Sequence, residues 1–119
     1  MYKQRDIETL WAKYEGLLKS LKDENIIKLL DDQGQRILMT SFSQREKEPF
    51  CGIGGIVDYS LKLAKNANAF CKALNYDVDK GSIIKCSLLS IVGRIGTSFE
   101  DRFTETTSEW HKEKLGQYF

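Results

Sequence analysis

Four residues in two short apolar segments carry side chains that could do chemistry together. Asp58 and Tyr59 lie in G-G-I-V-D-Y-S-L, Gly54 to Leu61, and Ser90 and Arg94 lie in L-L-S-I-V-G-R-I-G, Leu88 to Gly96. Arg94 can grip a phosphate or carboxylate with two parallel N–H bonds, and the other three carry a carboxylate, a phenol and a hydroxyl. They are poorly suited to activating water on a metal. A phenol ionises only near pH ~10 and a serine hydroxyl is a weak ligand, which leaves Asp58 as the one strong oxygen donor of the group.

Other reactive residues are few. His111 is the only histidine, so a histidine-pair metal site and a two-imidazole relay are excluded, and its place beside Trp110 in a charged segment reads as an ordinary surface histidine. Cys51 would be a nucleophile if a cation or base depressed its pKa, with Arg94 as the candidate neighbour; it reads better as an inert small hydrophobe. Cys51, Cys71 and Cys86 form no CxxC pair and are odd in number, which argues for buried free thiols rather than a disulfide framework. The glycines of C-G-I-G-G-I precede a helix, yet no strand and no Gly-Lys-Ser/Thr accompanies them, so a phosphate-binding P-loop is excluded. Lys62, Lys65 and Lys72 share the polar side of one helix and could touch nucleic-acid phosphates, although a solvated lysine face explains them as well.

Taken together, the two apolar segments resemble the metal-binding core of the histidine–aspartate (HD) domain phosphohydrolases. Gly54 to Leu61 is similar to that family's G-G-L-[LV]-E-H-S-L stretch, and Leu88 to Gly96 to its L-L-H-D-[IL]-[GC]-K-[IV]-G stretch. On this match Tyr59 stands where the family has histidine, and Ser90 and Ile91 stand where it has the His-Asp pair. The family's earlier histidine falls near Pro49 or Phe50, and Arg94 falls where lysine is frequent. The segment E-W-H-K-E-K-L-G-Q-Y-F, Glu109 to Phe119, resembles the tryptophan-containing hairpin of small phage-type members. The family's further helix, with another metal-ligating aspartate, has no counterpart up to Phe119. The resemblance thus implies an HD-like helical scaffold without its metal ligands: no metal, no cofactor and no hydrolysis.

The elements that would position these residues follow from hydrophobic period. Ile7, Leu10, Trp11, Tyr14, Leu17, Leu18 and Leu21 recur at helical steps and predict a helix from about Asp6 to Lys22. Its Trp11/Tyr14/Leu18 stripe could pack on the domain's own core or serve as a homodimer seam. A short second helix is expected from Glu24 to Leu30, with Gly34 as a stop signal. Ser41 to Gly55 contains the only proline and should be a loop, and the HD resemblance implies that its glycines let it cross closely over the next helix start. From Gly54 an apolar stripe continues to Leu74, with Asn75 as terminator, and another helix is expected from Lys80 to Val92. Between Phe99 and Phe119 the threonines and aromatics favour a small β-hairpin.

A chain of 119 residues supports a single core, so residues 1–119 are read as one mostly α domain, HD-like, with a small C-terminal hairpin. Eighteen basic against 17 acidic residues leave a net charge of +1 and no whole-molecule field for a polyanion. M-Y-K-Q-R-D lacks a signal-peptide apolar core and no apolar run nears the roughly 20 residues of a membrane span, so a cytoplasmic location is expected. The expected function is a catalytically inactive protein-binding or regulatory module, plausibly phage-encoded. The alternatives are a nucleotide or small phosphate-ligand binder, or residual hydrolase, at Asp58, Tyr59, Ser90 and Arg94, and a nucleic-acid accessory protein using Lys62, Lys65 and Lys72.

Overall fold

The computed structural model describes residues 2–43, 45, 47–92, 95 and 116–118. Four helices account for most of them: α1 (Gln4–Lys19), α2 (Glu24–Met39), α3 (Gly55–Ala73) and α4 (Lys80–Leu89), with a 3-10 turn at Gly116–Tyr118. No strand occurs among the described residues; Ser43 and Cys51 form an isolated parallel bridge. The mostly α class expected from the periodicity is therefore present.

Helix α1 stops at Lys19 rather than Lys22 because the chain turns there. Ser20 Oγ donates to the Leu17 carbonyl at 2.5 Å, Lys22 takes a left-handed φ of 55°, and Asp23 caps α2 by accepting the Asn25 N–H at 2.9 Å. The expected end of α2 at Leu30 is corrected. The helix continues through Gly34 to Met39, because Gly34 is a packing residue and not a terminator: a Cβ there would lie 3.1 Å from the Trp11 indole. The indole occupies the space, and Ile37 carries the apolar stripe onward. Asn75, with φ 57°, does end α3, and Asp79 caps α4 by accepting the Ser82 N–H at 3.1 Å. Helix α4 ends at Leu89, but Ile91, Val92 and Ile95 stay buried beyond it.

The core gathers Tyr14 and Leu18 of α1, Ile26, Leu29, Leu30 and Ile37 of α2, Ile56 and Val57 of α3, and Leu88 with Ile91, Val92 and Ile95. Burying side chains of this size contributes about 1.5–3 kcal/mol each. Tyr14 also donates its hydroxyl to the Leu88 carbonyl at 2.7 Å, tying α1 to the end of α4. The proposed homodimer seam is corrected by the same facts: Tyr14 and Leu18 are 1% and 0% exposed and Trp11 lies on Gly34, so the stripe is spent inside the fold. The hairpin expected between Phe99 and Phe119 falls largely outside the described residues. Within it, Tyr118 is buried against α2 and donates to Asp32 at 2.7 Å.

Candidate functional site

The loop before α3 is tied down at its two ends, at 40–42 and 50–54. Gly54 N–H donates to the Leu38 carbonyl at 2.6 Å, Ile56 N–H to the Thr40 carbonyl at 3.2 Å, and Phe42 N–H to the Phe50 carbonyl at 3.1 Å. Gly54 caps α3 with a φ of 88°, a left-handed conformation open to glycine. Gly55 lies beneath the crossing loop so closely that a Cβ would meet the Phe50 oxygen at 2.1 Å. The loop and its close crossing match the expectation drawn from the glycines.

Asp58 follows in the first turn of α3, where the helix dipole favours a carboxylate. Only 8% exposed, it accepts the Tyr2 hydroxyl at 2.7 Å and the Lys62 ammonium at 3.2 Å. Burial, then the hydrogen bond to Asp58, holds the Tyr2 phenol well above its ordinary pKa, so Tyr2 remains a donor. Lys62 Nζ also sits 5.0 Å from the centre of the Phe50 ring, a cation–π distance. Tyr2, Glu48, Phe50, Cys51, Asp58 and Lys62 line a cleft of about 320 Å³.

Of the four sequence-picked residues, Asp58 lines this cleft, and the described Tyr59 and Ser90 do not. Tyr59 turns into an aromatic cluster, stacked on Phe42 with ring centres 4.1 Å apart and edge-on to Phe50 at 5.5 Å. Ser90 is exposed and returns its hydroxyl to the Ser87 carbonyl at 2.9 Å. Arg94 lies outside the described residues, as does His111. Ile91, matched to the family's aspartate, is 7% exposed within the core. Cys51 shares the cleft with Lys62, a cation already engaged by Asp58. The three thiols are free, but the expectation that they are buried is corrected: Cys51 and Cys71 are half-buried and Cys86 is exposed. Among the described residues no three His, Cys, Asp or Glu side chains converge as a metal site.

Lys62, Lys65 and Lys72 are all exposed on α3. Lys62 and Lys65, without Lys72, border a second depression between α1 and α3, where Lys13 of α1 joins them. Sequence reasoning missed Tyr2, whose partner Asp58 lies far along the chain, and Lys13, which borders the same depression as Lys62 and Lys65 of another helix. The spacing of Phe42, Phe50 and Tyr59 around the glycines was the available signal for the aromatic cluster. No helix among the described residues is long and apolar enough to cross a membrane. Compared with models of known protein families, with curated proteins and with solved structures, the chain matches none.

Proposed function

We propose that the chain is a catalytically inactive, HD-like protein that works as a protein-binding or regulatory module, phage-encoded and acting in the host cytoplasm. The observation that carries this reading is what fills the matched ligand positions. Tyr59 is stacked on Phe42, the Ser90 hydroxyl is used by its own helix end, and Ile91 is buried among apolar side chains. Tyr59 and Ile91 are spent on packing, and a core so built needs no metal to neutralise it. The small-ligand alternative has weaker support. Among the described residues the Asp58 cleft offers one cation, Lys62, which is paired with Asp58 and accompanied by Glu48, so a phosphate entering it would meet two carboxylates.

Elemental analysis of protein purified without chelator, together with phosphatase and nucleotidase assays, tests the reading: less than about 0.1 equivalent of metal and no turnover are expected. Ile91→Asp sharpens the test. It restores the aspartate of the resembled motif in a 7% exposed position, so it should cost about 3 kcal/mol or more by burying an unpaired charge, with or without manganese. One equivalent of metal in the wild type, or a mutant whose melting temperature manganese restores, would overturn the proposal.

A further inference from the structure

The depression between α1 and α3 has a volume of about 650 Å³ and meets the smaller cleft at Asp58 and Lys62, which line both. Leu10, Leu17 and Leu61 line it with half-buried apolar surface, and Lys13, Lys62 and Lys65 stand along it. Gly16 sits between them, exposed in the last turn of α1, where glycine weakens a helix relative to alanine. Packing within the fold does not require it. A Cβ on the other helical glycines, Gly34, Gly55 and Gly81, would have a heavy atom within 3.1 Å, whereas one on Gly16 would meet nothing within 4 Å. A residue that breaks a local rule without an internal gain is where a functional contact is to be sought.

We propose that this groove is the docking surface for an acidic amphipathic helix of a partner protein, an inference that rests on reading the chain as a binding module. The helical form of the occupant follows from the walls. Two helices flank the groove and Gly16 lets a third backbone come close, while the absence of strands among the described residues offers no edge for strand addition. Its apolar stripe covers Leu10, Leu17 and Leu61. Its acidic flanks answer the rim, since Lys13 and Lys65 form no ion pair among the described residues and only Lys62 is already held, by Asp58. Nucleic acid fits less well. Phosphates gain nothing from an apolar floor, and two uncompensated lysines release few counterions.

The test is selection of 18-residue peptides from a randomised display library on the intact protein, followed by fluorescence anisotropy of the enriched peptides. Enriched sequences should place Leu, Ile or Met at i, i+3 or i+4, and i+7 beside Asp or Glu, and should bind more weakly as salt rises. Gly16→Trp, which fills the groove, and the surface double variant Lys13→Glu/Lys65→Glu should each weaken binding at least tenfold; the lysine variant keeps the test sound if the tryptophan variant melts early. Failure to enrich any peptide, enrichment of basic or patternless ones, or affinities unchanged in the variants would refute the proposal. So would sub-micromolar binding of a 20-nucleotide strand lost in the lysine variant, or self-association of the chain abolished by it. Metal content and hydrolysis, measured on the same preparation, decide the inactive-enzyme reading separately.

Discussion

Gly55→Ala should be among the most damaging conservative changes in this chain. The added methyl would stand 2.1 Å from the Phe50 oxygen and 2.8 Å from the Phe42 nitrogen, whereas a carbon and a carbonyl oxygen need about 3.3 Å. The loop must therefore retreat by about 1 Å. The Phe50 carbonyl accepts Phe42 N–H at 3.1 Å and Ser43 N–H at 3.5 Å, and losing both costs about 0.5–1.5 kcal/mol each. Phe42 and Phe50 move with the loop, so their contacts with Tyr59, about 0.5–1.5 kcal/mol apiece, are also at risk. Alanine returns up to about 1 kcal/mol through better helix propensity. The net expectation is a loss of about 2–4 kcal/mol, a drop of roughly 10 °C in Tm for a domain of this size. Equilibrium urea unfolding followed by far-UV circular dichroism measures it, with Gly16→Ala as the matched control. Gly16 has open space at its Cβ position, so that variant should gain about 0.5–1 kcal/mol. If Gly55→Ala unfolds within about 0.5 kcal/mol of wild type, the loop does not cross as described.

Two further outcomes follow from buried hydroxyls. Burial lifts the Tyr14 phenol above its ordinary pKa, and burial with the Asp58 hydrogen bond does the same for Tyr2. A folded pKa above the unfolded value of ~10 leaves its stability contribution whole below that pH and erodes it above, because the unfolded chain releases protons the native one keeps. Melts between about pH 8 and 11 should fall beyond ~10 and fall less steeply in Tyr14→Phe, which also costs about 1–2 kcal/mol at neutral pH by orphaning the Leu88 carbonyl; equal slopes would contradict this. Ser60 is 0% exposed and its hydroxyl has no partner among the described residues, so Ser60→Ala should be neutral or stabilising by up to about 1 kcal/mol, and a clear loss on urea unfolding would reveal a bond to water.

What could be read from the sequence was whatever repeats along one element. The α1 stripe, the start of α3, Asn75 as its end and the glycine loop were all legible, because periodicity and turn chemistry are local. Gly34 was misread because a glycine after an apolar run is both a common helix end and, more rarely, the slot for a large side chain. The choice between them depends on Trp11, 23 positions away in the numbering and on another helix. Tyr2 carried no signal at all: its partner Asp58 is 56 positions distant, and nothing local distinguishes an N-terminal tyrosine that reaches a carboxylate from one that does not.

Asp58 shows how the same residue serves two different arguments. Read by motif, it is the last oxygen donor of a depleted metal site; read by contacts, it is a pin that fastens the N-terminus and Lys62 to the start of α3. A buried carboxylate must be compensated by something, and here a phenol, an ammonium and the helix N-terminus surround it without a metal ion being needed. That compensation also fixes the function of its neighbours. Lys62 held by Asp58 is less available to a phosphate, which leaves the positive charge of the α1–α3 groove on Lys13 and Lys65, beside Leu17 and Leu61. Recognition on this protein is thereby directed toward a ligand with apolar surface as well as negative charge, which a peptide helix has and a nucleotide's phosphates lack.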